Sequence, residues 1–274
     1  MSLHTIIIVA LAGGLVTVAL WPLRVLSAIV GHRRATLRAN LAYGPLPRQR
    51  LDVYVPIAAP ADAPVMVFFH GGGWAIGDKA EYGFVADALT RAGIVVVIPN
   101  YRLYPEVVFP AFVEDGAAAV AWVAASFPSR RIVLAGHSAG AHIAALLNLD
   151  ARYLAACGVK PAGVVGIAGP YDFLPITKPR YARVFPPATR EESQPIRFAR
   201  SDAAPMLLLT GDADRTVGRG NSARLAAAIV GKGGRATVNI YPRVGHMRPV
   251  LAFARVFAAE LPLVADVAGF VRSL

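Results

Sequence analysis

Residues 130–149, RRIVLAGHSAGAHIAALLNL, place a serine between two glycines where one apolar run ends and another begins. Gly136-His137-Ser138-Ala139-Gly140 has the Gly-x-Ser-x-Gly form of a sharp strand-to-helix turn, which holds a serine hydroxyl exposed at its tip. A helix beginning at Ala139 aims its first N–H groups, and the positive end of its dipole, at the place where negative charge develops when a carbonyl is attacked. The implied chemistry is nucleophilic acyl transfer to Ser138.

Such chemistry needs three further parts. The first is a second set of donors for the developing oxyanion. Phe68-Phe69-His70-Gly71-Gly72-Gly73-Trp74 supplies it at the end of an apolar run, with the N–H groups of two among Gly71, Gly72 and Gly73 joining that of Ala139. The others are an acid and then a histidine, in the chain order Ser…Asp…His. The stretch LLLTGDAD, 207–214, offers Asp212 and Asp214, and IYPRVGHM, 240–247, offers His246. Both follow apolar runs, so both belong to the carboxyl edge of a sheet, where open α/β sheets hold their sites. Spacing alone leaves either acid eligible, and Asp212 has an alternative use in the turn itself.

The remaining candidates have quieter readings. His137 and His142 lie too near Ser138 in sequence to face its hydroxyl as a base, so they read as packing or cleft wall. His70 reads as a stabiliser of the glycine loop, and Arg102 with Asp115 as an ion pair beneath it. Trp74 reads chiefly as packing; with Tyr171 and Phe173, which follow a strand end, it completes the set of candidate substrate contacts.

The elements that must position these residues alternate. Expected strands fall at 51–55, 65–70, 94–99, 132–136, 163–168, 206–210 and 237–241, several of them unbroken Val/Ile runs of the kind buried on both faces of a parallel sheet. Expected helices fall between them at 80–92, 109–127, 139–155, 222–231 and 251–257. The pattern reads as an α/β protein with a mostly parallel, doubly wound sheet. Residues 172–200, rich in Pro and Arg, form a long excursion suited to a small lid.

Composition narrows the function classes. Hydrophobic residues make up 55% of the 274 and charged residues 16%, ample for a core. The one cysteine, Cys157, excludes an intrachain disulfide framework and any multi-cysteine metal site. The net charge of +11 divides unevenly: residues 1–51 carry six arginines and no acid, while the rest holds 22 basic against 17 acidic residues, net +5, in no block or RNA-binding signature. Nucleic acid is therefore not an expected partner. Residues 3–20 run 18 positions with no formal charge beyond His4, long enough to be read as a transmembrane helix. The arginines all follow that run, which by the positive-inside rule puts the remainder in the cytoplasm as a single-pass membrane protein. A cleaved signal peptide, with a periplasmic or secreted product, is the alternative; Met1-Ser2-Leu3-His4 lacks the basic start such peptides use. The division expected is a membrane anchor with a basic juxtamembrane segment over 1–38 and a catalytic domain over 39–274.

The segments HGGGWAIGDKAEY (70–82), PNYRLYPEVVFPAFVEDGAAAVAWV (99–123), GHSAGAH (136–142), GPYDFLP (169–175), GDADRTV (211–217) and GHM (245–247) together resemble the α/β-hydrolases of the hormone-sensitive-lipase-like carboxylesterase group. The chain is also similar to isoprenylcysteine methylesterases and kynurenine formamidases. The resemblance spans residues 50–250 and implies a Ser138–His246–Asp214 triad, since Asp214 holds the acid's place in G-x-x-D-x-x-V. It implies a serine carboxylesterase of small-molecule or lipid-like esters, with no metal or organic cofactor. An arylformamidase-like amide hydrolase and a non-catalytic scaffold are the alternatives. Relatives build a cap from an N-terminal segment and an insertion; with only 172–200 left for that purpose here, short acyl chains are expected.

Overall fold

The computed structural model describes residues 22–30 and 35–274. Eight strands form one sheet: β1 (Ala35–Ala42), β2 (Arg50–Pro56), β3 (Val65–Phe69), β4 (Val95–Pro99), β5 (Ile132–His137), β6 (Gly163–Ile167), β7 (Met206–Gly211) and β8 (Ala236–Tyr241), in the order β1-β2-β4-β3-β5-β6-β7-β8. β2 runs against both its neighbours, β1 and β4, and every pairing from β4 to β8 is parallel.

Side-chain alternation along the central strands feeds two cores. Val65, Val67 and Phe69 of β3 pack on one face against α3 (Ala111–Ser126), α4 (Ala139–Leu149) and α7 (Asn221–Gly231). Met66 and Phe68 face the other side, with α2 (Gly83–Arg91) and α9 (Leu263–Arg272). Both faces are thus covered, as continuous apolar strands require. α4 is buried along its whole length, and its AGAHIAALLNL sequence of small and aliphatic residues suits a helix enclosed on all sides.

Several expectations need correction at their edges. The run expected at 139–155 breaks after Leu149, because Asp150 turns its carboxylate onto the N–H and guanidinium of Arg152 and starts a separate turn, α5 (Arg152–Ala155). The excursion over 172–200 carries a short helix, α6 (Pro179–Val184); the helix expected at 251–257 is instead α8 (Arg248–Leu251), and the closing helix α9 was not anticipated.

The amino-terminal boundary also moves. β1 pairs with β2 from Ala35↔Pro56 onward, so residues 35–38 belong to the sheet rather than to a juxtamembrane segment. Before it, α1 (Pro22–Val30) lies on α2 and on the 3₁₀ turn Lys79–Tyr82, where Ser27 Oγ donates to the Glu81 carbonyl at 2.8 Å. The apolar run at 3–20 lies outside the described residues, and among those described no helix is long and apolar enough to cross a membrane.

Candidate active site

The carboxyl ends of β3, β5, β7 and β8 converge on Ser138. β5 ends at His137, and Ser138 takes φ +54° and ψ −117° before α4 begins. Such a left-handed serine is a strained conformation that its surroundings must impose. They do so through the flanking glycines: a Cβ on Gly136 would lie 2.3 Å from the Gly140 carbonyl carbon, and one on Gly140 would lie 2.0 Å from the Phe69 oxygen. No side chain fits at either position, which is why two glycines bracket the serine.

His246 reaches Ser138 from the loop after β8, and Asp214 reaches His246 from the loop after β7. His246 Nε2 lies 2.9 Å from Ser138 Oγ, and Nδ1 lies 2.7 Å from Asp214 Oδ2. Asp214 Oδ1 accepts the Thr216 and Val217 N–H groups at 2.8 and 3.1 Å. Burial pushes the Asp214 carboxyl up, but the His246 hydrogen bond and charge, with those two N–H groups, outweigh it and hold it below the usual carboxylate range. Asp212, the other eligible acid, accepts the Arg243 N–H in the turn and does not reach the histidine.

The glycine loop is sorted by its hydrogen bonds. The Gly71 N–H donates to the Tyr82 hydroxyl at 3.0 Å, which removes it as an oxyanion donor. Gly72 and Gly73 have φ of +125° and +59°, and neither their N–H groups nor that of Ala139 have a protein partner among the described residues. A Cβ on Gly72 would lie 1.9 Å from the Ile76 oxygen, so only glycine lets the loop fold back there.

Behind the loop runs a buried polar circuit. The neutral His137 ring donates from Nε2 to the His246 carbonyl and accepts at Nδ1 from the Tyr82 hydroxyl, both at 3.3 Å. Burial, with the charge of nearby His246, depresses its pKa to about 3. Burial likewise holds His142 and His70 down to about 4 each, the former donating to Ser193 O at 2.7 Å and the latter to Gly71 O at 2.7 Å. The structural readings of all three histidines hold. Tyr101 stacks on His70 at 4.3 Å and donates to its carbonyl, while Arg102 forks onto Asp115 with Nε and Nη2 at 2.9 Å. The expected ion pair is therefore present, next to a segment whose Tyr104 N–H holds the Trp74 carbonyl at 2.8 Å.

In front of Ser138 opens a cavity of about 150 Å³, lined by Gly73, Trp74, Phe173, Lys178, Tyr181, Val217 and their neighbours. Trp74 lines it, though the residue is buried and its ring packs among Phe112, His142, Phe173, Tyr181 and Phe185. Phe173 lines the cavity as anticipated. Tyr171 does not: its side chain is fully buried in the space left by Gly166 and Gly169, so its place among substrate contacts is withdrawn. Sequence reasoning missed Tyr82, although it closes the quoted HGGGWAIGDKAEY segment, and missed the lining residues past the GPYDFLP segment, Ile176, Thr177, Lys178 and Tyr181, for want of any motif. Among the described residues no group of three or more His, Cys, Asp or Glu is placed to hold a metal ion.

A mostly parallel sheet with a strained serine between β5 and α4, and acid and histidine after later strands, defines the α/β-hydrolase fold. Residues 51–229 match the sequence profile of the BD-FAE family, and the chain belongs to that family. It is 34% identical over 174 residues to a kynurenine formamidase of Salmo salar, covering 62% of this chain and 58% of that protein. Esterase LipC of Mycobacterium tuberculosis is 32% identical over 211 residues, 67% of this chain and 52% of its own length. The chain thus spans little more than half the length of these curated relatives. In fold it follows a truncated carbohydrate esterase from gut microbiota, with a TM-score of 0.77 at 23% identity over 88% of this chain and 97% of the other.

Proposed function

We propose that the chain is a serine carboxylesterase that hydrolyses esters of short acyl chains through an acyl-enzyme on Ser138. The observation that carries this reading is the unbroken hydrogen-bond chain Ser138–His246–Asp214 opening onto the cavity. Esterase LipC, similar over two thirds of the chain, supports the choice of an ester bond.

Each residue has a defined role in this reading. Ser138 Oγ attacks the ester carbonyl as His246 Nε2 takes its proton. The N–H groups of Ala139, Gly72 and Gly73 receive the oxyanion, and losing one such donor typically costs about 100- to 1,000-fold in rate. His246 then gives the proton to the departing alkoxide, and the cycle repeats with water attacking the acyl-enzyme. Asp214, ionised at neutral pH, fixes the imidazole tautomer and stabilises its cation. A cavity of about 150 Å³ favours short acyl groups.

The test is hydrolysis of p-nitrophenyl esters of increasing acyl length by the full chain, with Ser138→Ala as control. Turnover that disappears in the variant, with an optimum at short chains, is the expected result; folded protein inert on every ester overturns it. The kynurenine formamidase relative favours a second reading, amide hydrolysis by the same triad, which an ester and its matched formanilide separate. The charge-free stretch at 3–20 supports attachment to a membrane with this domain in the cytoplasm, and fractionation of cells with and without that stretch tests it.

A further inference from the structure

The excursion over 172–200 contains more bases than acids, and its ion pairs are unevenly spent. Its three acids are all engaged: Asp172 by Arg224, Glu191 by Arg197 and Glu192 by Arg152. Arg200 pairs with Asp202, and Arg190 donates to the Phe185 carbonyl. Among the described residues, the cations left without a carboxylate include Lys178, which lines the cavity, and Arg180, which stands beside the cavity residues Gly73 and Tyr181.

Their placement is specific. Lys178 lines the cavity wall. Arg180 lays its guanidinium over the Tyr181 ring, 4.3 Å from the centroid, and hydrogen-bonds the Tyr181 hydroxyl. Its Nη2 sits 4.0 Å from where a Cβ on Gly73 would be, directly beside the glycine loop. Among the described residues no acidic side chain lines the cavity. The nearest functional carboxylate, Asp214, turns one oxygen to His246 and the other to the Thr216 and Val217 N–H groups. An anion arriving beside Ser138 therefore meets an ammonium and a guanidinium with no built-in competitor, and a guanidinium stacked on an aromatic ring is already held in place to receive a carboxylate.

We infer that the substrate carries an anionic group, a carboxylate or its equivalent, close to the scissile bond, and that Lys178 and Arg180 bind it at the mouth of the cavity. The inference rests on the reading that substrate is hydrolysed over Ser138, and it names the chemical class of that substrate. Both cations are exposed, so the gain is moderate and salt-sensitive, about three- to tenfold in kcat/KM.

Two matched pairs of esters test it with the full chain. Monoethyl succinate against ethyl butyrate puts the carboxylate on the acyl side; 4-acetoxybenzoate against its methyl ester puts it on the alcohol side. At low salt the charged member of at least one pair is preferred about threefold or more, and the preference shrinks at about 0.5 M salt. In the double variant Lys178→Gln/Arg180→Gln the charged-to-neutral ratio falls to one or below. A wild-type ratio at or below one in both pairs, or a ratio the double substitution leaves unchanged, overturns the inference. Binding of the same four esters to Ser138→Ala, followed by tryptophan fluorescence, separates the two readings. Tighter binding of a charged ester without turnover by the wild-type chain keeps the anion site and removes the esterase; equal binding within both pairs removes the anion site.

Discussion

The two sides of Ser138 are built on opposite terms. Behind it, Tyr82, His137, Gly71 and the His246 carbonyl satisfy one another in a dry circuit, with Tyr82 and His137 each 2% exposed. In front of it, the excursion over 172–200 presents Phe173 and Tyr181 half-buried and Lys178 and Arg180 in water. A polar network in a low dielectric holds its members to one geometry, because any broken bond leaves a buried group unpaired. Exposed side chains on a loop can change without that penalty. On the function proposed above, the difference separates two properties: bond-breaking geometry is set behind the serine, and substrate choice in front of it.

The comparison breaks first at the nucleophile. Ser138→Ala should lower kcat on any ester by about 10⁴-fold or more, and Asp214→Asn by about 10⁴-fold, through loss of the productive tautomer. Asp212→Asn, which touches only the turn to Arg243, should change kcat by less than about tenfold; steady-state kinetics of the three decide the assignment. Next comes the circuit. Tyr82→Phe leaves the Gly71 N–H and His137 Nδ1 without a partner, so kcat should fall about 10- to 100-fold with KM little changed, and stability by about 1–3 kcal/mol. An effect confined to KM would move Tyr82 to the substrate side.

Acid should act on the buried histidines, two of them behind the serine and His142 beneath the excursion. His70, His137 and His142 are held neutral by burial, with pKa values of about 4, 3 and 4, against 6.5 in the unfolded chain. Below pH 6.5 the unfolded chain binds protons that the folded one refuses, so stability is complete above that pH and drains away as pH falls toward 4. Each histidine contributes up to about 1.4 kcal/mol per pH unit. Urea midpoints should therefore drop steeply from pH 7 to 5, and His142→Asn should flatten the slope by about one proton; a flat wild-type profile is the contrary result. The smallest effect belongs to the open side: Phe173→Ala should lower kcat/KM on short acyl esters about three- to tenfold and shift the optimum to longer chains.

Much of the site was legible because its chemistry leaves few residue choices. Gly140 can only be glycine with the Phe69 oxygen 2.0 Å from where its Cβ would lie, and an acid and a histidine past strand ends are hard to place otherwise. The central strands were legible for a similar reason, since Val65–Phe69 and Val95–Pro99 are apolar throughout and buried throughout. What escaped depends on side-chain direction or on backbone alone. β1, ATLRANLA, is mostly exposed and belongs to the sheet through its ladder with β2, which no apolar pattern announces. Tyr171 and Phe173 follow the same strand end, yet only the space at Gly166 and Gly169 sends the former inward. Tyr82 is tied to Gly71 across eleven residues by one hydroxyl, and composition carries no trace of that bond.

The docking of α1 on the Lys79–Tyr82 turn has a practical side for anyone handling this protein. A shortened form beginning at residue 39, the natural cut if everything before it were a tether, would lose half of an edge strand and the Ser27 contact with the turn that carries Tyr82. Such a protein would be judged a poor enzyme for a reason unrelated to its chemistry. A form beginning at Pro22 keeps both supports, and a difference in turnover between the two would measure how far the entrance of the chain steadies the glycine loop.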